Sequence, residues 1–307
     1  MSEKLFDVAI IGSGPAGYSA SIYASRYNLS NVIFGKLSGG TMSEAHKICN
    51  YPGFEESTGY ELSEKMFNHA KSFGADIQLK SVVDIKKEGN IFKIFTDSED
   101  TFESKTVILA TGTKRKKLAI PGEDKYLGKG VSYCATCDSN FFKNKIVAVV
   151  GGSNAATTAA LLLSEVAQKV YIIYRGEALK GDQKWVDAVK GNEKIEVLFS
   201  TLVVGLEGED KLEKIKISKE YKGKSELEVD GLFIEIGAEP NMDLPIKLGL
   251  ETDEGGYIKI KEDQSTNIEG IWAAGDMTIG SNKFQQIATA ISEGAIAANS
   301  VYKYIMS

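Results

Sequence analysis

The feature that most constrains the fold is a strand, glycine turn and helix that occurs twice in the 307-residue chain. The apolar run at 7–11 leads into a turn at 12–17, and the apolar run at 145–150 leads into a similar turn at 151–156. A helical pattern and a further apolar run follow each turn. Continuous apolar strands of this kind are typical of parallel sheets that are buried on both faces. The sequence therefore predicts an α/β protein with two βαβ nucleotide-binding units.

Short segments rich in Gly, Lys and Pro mark the joins between these units, at 110–117 and 237–241. The second βαβ unit lies wholly between the joins, so we expect it to be inserted as a block into the first domain. We predict two Rossmann-like domains, each with three layers. The first is discontinuous and consists of 1–113 and 241–307, and the inserted second domain is 114–240.

Two stretches outside the repeats, at 214–220 and 257–263, alternate apolar and polar residues. Alternation with a period of two places one face of a strand against the core and the other face in water. We therefore predict a half-exposed antiparallel strand in each stretch.

Composition and charge exclude several classes of function. A formal net charge of −6 gives no general attraction to nucleic acid or to anionic membranes. No apolar run approaches the roughly 20 residues of a membrane-spanning helix, and the start has no signal-peptide pattern. The three cysteines do not make a disulfide scaffold. We expect a cytoplasmic protein, in which a close pair of cysteines has a redox or metal-binding role.

The first turn, GSGPAG, carries the complete glycine pattern of a dinucleotide-binding turn. In that pattern Gly12 makes the tight turn, Gly14 lets the backbone approach a pyrophosphate, and Gly17 packs the helix closely on the strand. The phosphates then face the helix N-terminus. The acid that commonly binds a ribose about 20 residues later is absent, because Lys36 and its neighbours stand there, so ribose contacts come from elsewhere.

The second turn, GGSNAA, departs from this pattern. Ser153 stands where a second glycine would let the backbone approach the phosphates, and its Cβ takes that space. Two interpretations stay open, a NAD(P) site and a nucleotide-type domain kept as a scaffold. The candidate residues for a NAD(P) site are Gly151, Gly152, Ser153, Asn154, Arg175 and Lys180.

Cys134 and Cys137 lie in the sequence CATCD, directly before Asp138. Two thiols at this spacing at the start of a helix can close a small ring, and the helix N-terminus lowers the thiol pKa. Asp138 suits the protonation of a departing thiolate, and its alternative role is a helix N-cap. Zinc would need three or four ligands, and the other candidates lie far upstream. Those candidates are Cys49, His46 and His69. We predict a redox pair and no metal.

The glycine turn, the inserted unit and the CATCD box together resemble the low-molecular-weight thioredoxin reductases, which are FAD-dependent pyridine nucleotide-disulfide oxidoreductases. The resemblance covers essentially the whole chain and is most specific at CATCD. It implies an FAD domain made of both chain ends, a middle domain that holds the cysteines, and a homodimer. The other motifs that carry the resemblance are Gly39-Gly40, Asn50-Tyr51-Pro52-Gly53, Ala110-Thr111-Gly112, Ala273-Ala274-Gly275-Asp276 and Gln286.

The resemblance also implies a role for individual residues. Asp276 would hydrogen-bond the ribityl chain of FAD, and the last helix, which opens at Gln286, would favour the negative charge of reduced flavin. Cys137 would be the thiol beside the flavin, Cys134 would attack the disulfide of a thioredoxin-like protein, and Asp138 would supply the proton. The residues expected to bind FAD are Gly12, Gly14, Pro15, Ala16, Gly17, Gly40, Thr41, Asn50, Thr111, Gly112, Gly275, Asp276, Gln285 and Gln286.

The departures from the family pattern concern the nicotinamide. The family's GGGDSAxEEA reads GGSNAATTAA at 151–160, and its His-Arg-Arg cluster for a 2′-phosphate reads Tyr174-Arg175-Gly176. Near the flavin, Gln285 replaces the arginine of an Arg-Gln pair. These changes weaken the use of NADPH, whereas the flavin and dithiol motifs are intact. The predicted electron donor is open between NADPH, NADH, ferredoxin and a reduced deazaflavin, since some relatives use the last two.

Two other functions compete with thioredoxin reduction. A ferredoxin–NADP reductase would need a good NADP site and no CxxC, the reverse of what is present. A non-catalytic flavin-binding or redox-sensing module would not require both cysteines together with Asp138. Elsewhere, we expect the basic run 114–117 to be a solvated surface, with docking of an acidic partner such as ferredoxin as the alternative. We expect Cys49 to be a small packed residue without a chemical role.

Overall fold

The computed structural model describes residues 4–45 and 48–307. The chain divides into two compact units: a first unit of Met1–Lys114 and Glu239–Ser307, and a second unit of Arg115–Ala238. Each unit is an α/β structure built around a parallel sheet, which confirms the predicted fold class. His46, one of the candidates weighed for zinc, lies outside the described residues.

The described residues form the following elements. In chain order the strands are β1 (Leu5–Ile11), β2 (Asn31–Phe34), β3 (Asp76–Gln78), β4 (Val82–Glu88), β5 (Ile91–Thr96), β6 (Thr101–Leu109), β7 (Thr113–Arg115), β8 (Val131–Ser132), β9 (Ile146–Val150), β10 (Lys169–Ile173), β11 (Ile195–Leu198), β12 (Val203–Glu207), β13 (Lys214–Tyr221), β14 (Lys224–Glu228), β15 (Gly231–Ile234), β16 (Ala238–Pro240) and β17 (Ile271–Ala273). The α-helices are α1 (Pro15–Arg26), α2 (Gly59–Ser72), α3 (Glu123–Tyr126), α4 (Ala135–Asp138), α5 (Asn154–Val166), α6 (Gln183–Lys190), α7 (Asp243–Leu248) and α8 (Ile287–Met306). None of these helices has the length and apolar composition to cross a membrane. β7 and β16, where the chain crosses between the units, pair with each other.

The main sheet of the first unit has the strand order β3-β2-β1-β6-β5-β4 among the described strands, with β17 beside the end of β6. β1, β2, β3, β6 and β17 run parallel, and β4 and β5 form the antiparallel part. Tyr18 of α1 and Val301 of α8 pack on one face of the sheet, against Ile10 and Ile33. Burial of an aliphatic side chain such as Ile10 stabilises the fold by about 1.5–3 kcal/mol. The buried apolar runs therefore explain why these strands are central.

The second unit has a parallel sheet in the order β11-β10-β9-β15-β8 within the described chain. Ala160 and Leu163 of α5 pack on one face, against Val147 and Val149 of β9. The antiparallel strands β12, β13 and β14 cover the other face, where Ile215 is fully buried. The unit therefore has three layers, with the helix and the antiparallel strands on opposite sides of the parallel sheet.

Of the two predicted alternating strands, one is confirmed and one is wrong. β13 covers 214–220 and pairs with antiparallel neighbours on both sides. The stretch 257–263 forms no such strand: Ile258 makes only isolated bridges, with Thr252 and Thr278, and other backbone groups of the stretch bond to nearby turns. Asp253 N donates to the carbonyl oxygen of Tyr257 at 2.9 Å, and Lys261 N donates to that of Ser265 at 3.0 Å. The alternation of apolar and polar residues at 257–263 therefore reflects a partly buried loop.

Candidate active site

A cavity of about 1130 Å³ opens in the first unit where its parallel strands end. Ile11 ends β1 and Phe34 ends β2, while Ala110 and Ala274 directly follow β6 and β17, and all four line the cavity. Ligands of open α/β sheets bind at the carboxyl ends of the strands, near the point where the strand order reverses. The cavity therefore lies where this fold holds ligands, and it has room for a dinucleotide.

The three glycines of the first turn differ in what surrounds them. Gly12 has a φ of 127°, and a Cβ there would lie 2.0 Å from the carbonyl oxygen of Ala110. A Cβ on Gly17 would lie 1.8 Å from the carbonyl oxygen of Gly12, so α1 packs directly on the turn. Around Gly14 a Cβ would meet only the carbonyl oxygen of Gly39, at 3.9 Å, so the missing side chain leaves open space in the cavity. This is the cradle that a pyrophosphate at a helix N-terminus requires.

The residues predicted for FAD, with the exception of Gly17, all line this one cavity. Those residues are Gly12, Gly14, Pro15, Ala16, Gly40, Thr41, Asn50, Thr111, Gly112, Gly275, Asp276, Gln285 and Gln286. A second set of residues that line the cavity was not predicted from the sequence. These residues lie at or just before the start of β4 and in and around α7. They are Lys80, Ser81, Val82, Val83, Asn241, Asp243, Leu244, Ile246 and Lys247. For α7 the available signal was the return of the chain to the first domain after Pro240.

Polar groups from distant parts of the chain meet at the α8 end of the cavity. Asn50 Nδ2 donates to Gln286 Oε1 at 2.9 Å, and Gln285 Nε2 donates to the carbonyl oxygen of Asp276 at 3.2 Å. Gln286 is the N-cap of α8, a helix of 20 residues, and a helix N-terminus carries a partial positive charge. This end of the cavity therefore favours a ligand that carries or gains negative charge.

Asp276 lines the cavity, and its pKa is raised from 3.8 to about 6. Burial is the main cause, and the nearby carboxylate of Glu293 adds to it. Glu293 is itself buried and well bonded: it accepts from Gly275 N at 2.8 Å and from Thr278 Oγ1 at 2.9 Å. It also accepts from Ser281 Oγ at 2.7 Å. Glu293 therefore holds the loop on both sides of Asp276, and the raised pKa lets Asp276 keep its proton to a higher pH than an ordinary aspartate does.

Replacing Asp276 by asparagine is expected to change how the stability of the flavin-free protein depends on pH. The folded pKa lies above the unfolded value, so this carboxyl contributes stability that is fully present below about pH 4 and is lost as the pH rises through about 6. Asp276→Asn should therefore raise the free energy of unfolding at about pH 7.5 by ~1–2 kcal/mol, after allowance for partial exposure. Urea unfolding of both proteins at about pH 4.5 and pH 7.5 measures this. An equal difference at both pH values would contradict the assignment.

The predicted redox cysteines are joined in a disulfide in the second unit, with an S–S distance of 2.08 Å. Cys134 is half-buried and is the N-cap of α4, where its Sγ accepts from Cys137 N at 3.1 Å. Ser132 Oγ accepts from Cys134 N at 3.0 Å, and Cys137 is exposed. Asp138 is half-buried and its side chain makes no capping hydrogen bond, so the N-cap alternative is not supported. In the part of the chain that the structure describes, no three His, Cys, Asp or Glu side chains are placed to hold a metal.

A buried carboxylate anchors the residue directly before the disulfide. Glu123 accepts from Leu118 N at 3.0 Å, from Ala119 N at 2.6 Å and from the hydroxyl of Tyr133. Burial, together with this carboxylate, raises the pKa of Tyr133 above its ordinary value, so the hydroxyl stays protonated and keeps donating. Sequence reasoning missed Glu123, because an isolated acid ten residues before Tyr133 carries no motif. The pair holds the segment that leads into Cys134.

Comparison with known proteins identifies the family of the chain that carries these two sites. Residues 6–294 match the family described as "Pyridine nucleotide-disulphide oxidoreductase". The chain belongs to this family.

The similar members of the family are named as thioredoxin reductases. The "Thioredoxin reductase" of Bacillus subtilis (strain 168) is 40% identical over 309 residues, which cover 99% of this chain and 96% of that protein. The crystal structure of Lactococcus lactis thioredoxin reductase has 36% identity and a TM-score of 0.92, with coverage of 98% and 99%. A ferredoxin-flavin thioredoxin reductase from Clostridium acetobutylicum has 37% identity and a TM-score of 0.53, with 99% of both chains covered. The predicted resemblance to thioredoxin reductases is therefore confirmed.

The residues that this family member offers for NAD(P) lie around the second glycine turn. Gly151, Gly152 and Ser153 lead from β9 into α5, and Asn154 is the first residue of that helix. Lys180 comes close to them through its backbone, since Lys180 N donates to the carbonyl oxygen of Gly152 at 2.6 Å. The side chains of Arg175 and Lys180 are exposed.

Three of the four cations in the basic run at 114–117 lie close to an acid of their own unit. Lys114 lies 3.7 Å from Glu239, Arg115 lies 3.0 Å from Glu235, and Lys117 lies 2.8 Å from Asp124. Three of the four cations therefore have an acid beside them, and the side chain of the fourth, Lys116, is exposed.

Cys49 is a free cysteine whose side chain is exposed, so the expectation of a small packed residue was wrong. The backbone places it outward: the neighbouring Ile48 is buried and pairs with Ser57 in an isolated bridge, which leaves the next residue on the solvent side.

Proposed function

We propose that the protein is a flavin-dependent reductase of thioredoxin-like proteins. FAD occupies the cavity of the first unit, and the Cys134–Cys137 disulfide passes electrons to the disulfide of the protein substrate. The observation that carries the proposal is the disulfide itself, formed by the CATCD cysteines at the start of a helix. Similarity over the full chain to proteins named thioredoxin reductase supports it. The cytoplasmic location remains a prediction from the composition, and the homodimer remains a prediction from the family resemblance.

The first unit fits an FAD molecule. Gly12 and Gly14 would hold the pyrophosphate, because the turn leaves open space in front of the N-terminus of α1. Asp276 would bind the ribityl chain, and Gln286 with the α8 N-terminus would face the pyrimidine end of the flavin. When bound, FAD supplies a two-electron carrier that can reduce a disulfide.

Residues of the second unit carry out the thiol–disulfide exchange with the protein substrate. In the reduced state the Cys134 thiolate attacks the substrate disulfide, so one Cys134–substrate bond forms as the substrate S–S bond breaks. Cys137 then attacks Cys134 Sγ, which restores the Cys134–Cys137 disulfide and releases the substrate as a dithiol. Asp138 provides the proton that the departing substrate thiolate takes up, as its half-buried carboxyl next to Cys137 allows. The substrate is reduced and the cysteine pair is oxidised by the same two electrons.

Replacing Asp138 by asparagine is expected to slow substrate reduction without preventing it. Loss of a positioned general acid typically costs about 10²-fold or more in rate. The variant should keep its disulfide and its bound flavin, so single-turnover reduction of a thioredoxin disulfide by the pre-reduced enzyme isolates the step. An asparagine variant with the wild-type rate would remove Asp138 from the mechanism.

The electron donor is proposed from two classes, a nicotinamide and a non-nicotinamide carrier such as reduced ferredoxin or a reduced deazaflavin. Similarity to a ferredoxin-flavin thioredoxin reductase supports ferredoxin. Anaerobic titration of the flavin-loaded protein with NADPH, NADH, reduced ferredoxin and reduced deazaflavin, followed by flavin absorbance, tests each donor. The decisive measurement is reduction of a thioredoxin disulfide by protein that has been reduced chemically with dithionite. Failure of that reaction would overturn the proposed function and favour a non-catalytic flavin module.

A further inference from the structure

The two nucleotide turns of the chain can be compared position by position, because both begin with the same backbone geometry. Gly12 has a φ of 127° and Gly151 has a φ of 144°. A Cβ would lie 2.0 Å from the carbonyl oxygen of Ala110 in the first turn and 2.2 Å from that of Glu235 in the second. Differences in what the two turns can bind therefore come from the side chains and segments around them.

The first difference is the residue that follows the second strand of each βαβ unit. Gly35 follows β2, has no side chain and lines the open cavity of the first unit. Tyr174 follows β10 at the corresponding place, and its ring lies directly against Gly152, where a Cβ would be 2.5 Å from three ring atoms. The other edge of the ring lies against Gly176, where a Cβ would be 2.7 Å away. In the first unit the space next to Gly35 holds only the small side chain of Ser13, whose Oγ would lie 2.1 Å from a Cβ at Gly35, so the tyrosine ring fills more of the space above the second turn.

The second difference is the segment 176–182, which folds back onto the turn. Lys180 N donates to the carbonyl oxygen of Gly152 at 2.6 Å, and Asp182 N donates to Asn154 Oδ1, also at 2.6 Å. Asn154 begins α5, so these bonds tie the segment across the first turn of that helix. A dinucleotide pyrophosphate binds at such a helix N-terminus. The segment therefore lies against one side of the α5 N-terminus, while Ser153 and Asn154 stay exposed.

The third difference lies in the charges near the turn and in the side chain of Ser153. Residues 175–182 carry Arg175 and Lys180 but also Glu177 and Asp182, so their positive and negative charges cancel. Recognition of a pyrophosphate with a 2′-phosphate normally uses an excess of arginine and lysine. Ser153 further places a Cβ where a glycine would let the phosphates approach. The residues present do not fit a nicotinamide dinucleotide.

We infer that the second nucleotide turn is closed by Tyr174 and by the segment 176–182, which Asn154 holds in place, and that neither NADPH nor NADH binds there. Tyr174 is the residue that excludes the dinucleotide, and the second unit retains its fold as the carrier of the disulfide. The inference rests on the proposed function in one respect, because electrons then enter the enzyme from a donor that is not a nicotinamide.

Calorimetric titration of the flavin-loaded protein with NADP⁺ and NAD⁺ tests the closure, because oxidised nucleotides bind without reducing the flavin. We expect no binding tighter than about 1 mM for the wild type or for Tyr174→Phe, which keeps the ring. The double variant Tyr174→Ala with Asn154→Ala removes the ring and the acceptor for Asp182 N. It should bind NADP⁺ at least about tenfold more tightly than the wild type.

Two outcomes would overturn the inference: a micromolar dissociation constant for the wild type, or an opened variant with wild-type flavin absorbance that binds no better than the wild type. If the double variant does not fold, Tyr174→Ala alone decides the same question. Dithionite-driven reduction of a thioredoxin disulfide, run on the same samples, separates the two proposals. Its failure in the wild type would count against the proposed function, whereas micromolar NADP⁺ binding with normal disulfide reduction would count against the closed turn alone.

Discussion

Replacing Cys137 by serine is expected to abolish reduction of thioredoxin-like substrates, with a loss of at least about 10³-fold in rate. The variant cannot form the disulfide with Cys134, so it can neither store the two electrons nor release a mixed disulfide with the substrate. The cysteine pair lies in the second unit and the flavin cavity in the first, so bound FAD should be retained. In an anaerobic dithionite titration the variant should take up two electrons fewer per chain than the wild type, because it has no disulfide to reduce.

Cys49→Ser is the matched control for this substitution, because Cys49 is also exposed but is a free thiol. It should reduce the substrate at the wild-type rate and take up the same number of electrons. A Cys137→Ser protein that keeps more than a few per cent of the turnover would show that the Cys134–Cys137 disulfide is not on the electron path.

The second large effect is expected from Gly14→Val, which should give a folded protein that no longer retains FAD. Gly14 has a φ of −86°, which a side chain can adopt, and a Cβ would meet only the carbonyl oxygen of Gly39, at 3.9 Å. The fold therefore accepts the valine, but its methyl groups stand where the backbone must approach the pyrophosphate. We expect the affinity for FAD to fall by at least about 100-fold, a cost of ~2.7 kcal/mol.

Gly191→Val is the matched control, because Gly191 is exposed, has a φ of −81° and lies in the second unit. Both variants should give wild-type circular dichroism, and only Gly191→Val should be purified yellow. Fluorescence titration of flavin-free protein with FAD gives the affinities. Stoichiometric FAD in purified Gly14→Val would show that the pyrophosphate does not bind at this turn.

Much of the fold could be predicted because parallel strands buried on both faces leave long apolar runs in the sequence. The apolar run that follows the first helical pattern is observed as β2 (Asn31–Phe34), where all four residues are buried. The failure at 257–263 has a physical reason: a half-buried segment alternates in the same way whether its backbone bonds to a strand or to turns. Period alone does not identify the hydrogen-bond partner.

The candidate site likewise contains residues that could be predicted from the sequence and residues that could not. Residues in a glycine turn or in the CATCD box could be placed from the sequence, since their backbone or thiol chemistry demands particular residue types. The cavity wall at 80–83 and the anchor Glu123 could not, because ordinary side chains reach these places only through the tertiary fold. The inferred role of Tyr174 was visible only in part: the sequence showed that the expected residues were missing, and the structure shows the tyrosine ring against Gly152.

The division of the first unit into two chain segments has a consequence for biosynthesis. The second unit is continuous, from Arg115 to Ala238, so it can fold as soon as it leaves the ribosome. The first unit must wait, because β17 completes its sheet beside β6 and α8 packs on α1. Gln286 and Asp276 belong to the same late segment, so the flavin cavity has no complete wall until α8 has been translated. During synthesis the second unit can therefore finish folding while residues 107–109 of β6 still lack β17 as a neighbour, and an unpaired strand edge of this kind can pair with other chains.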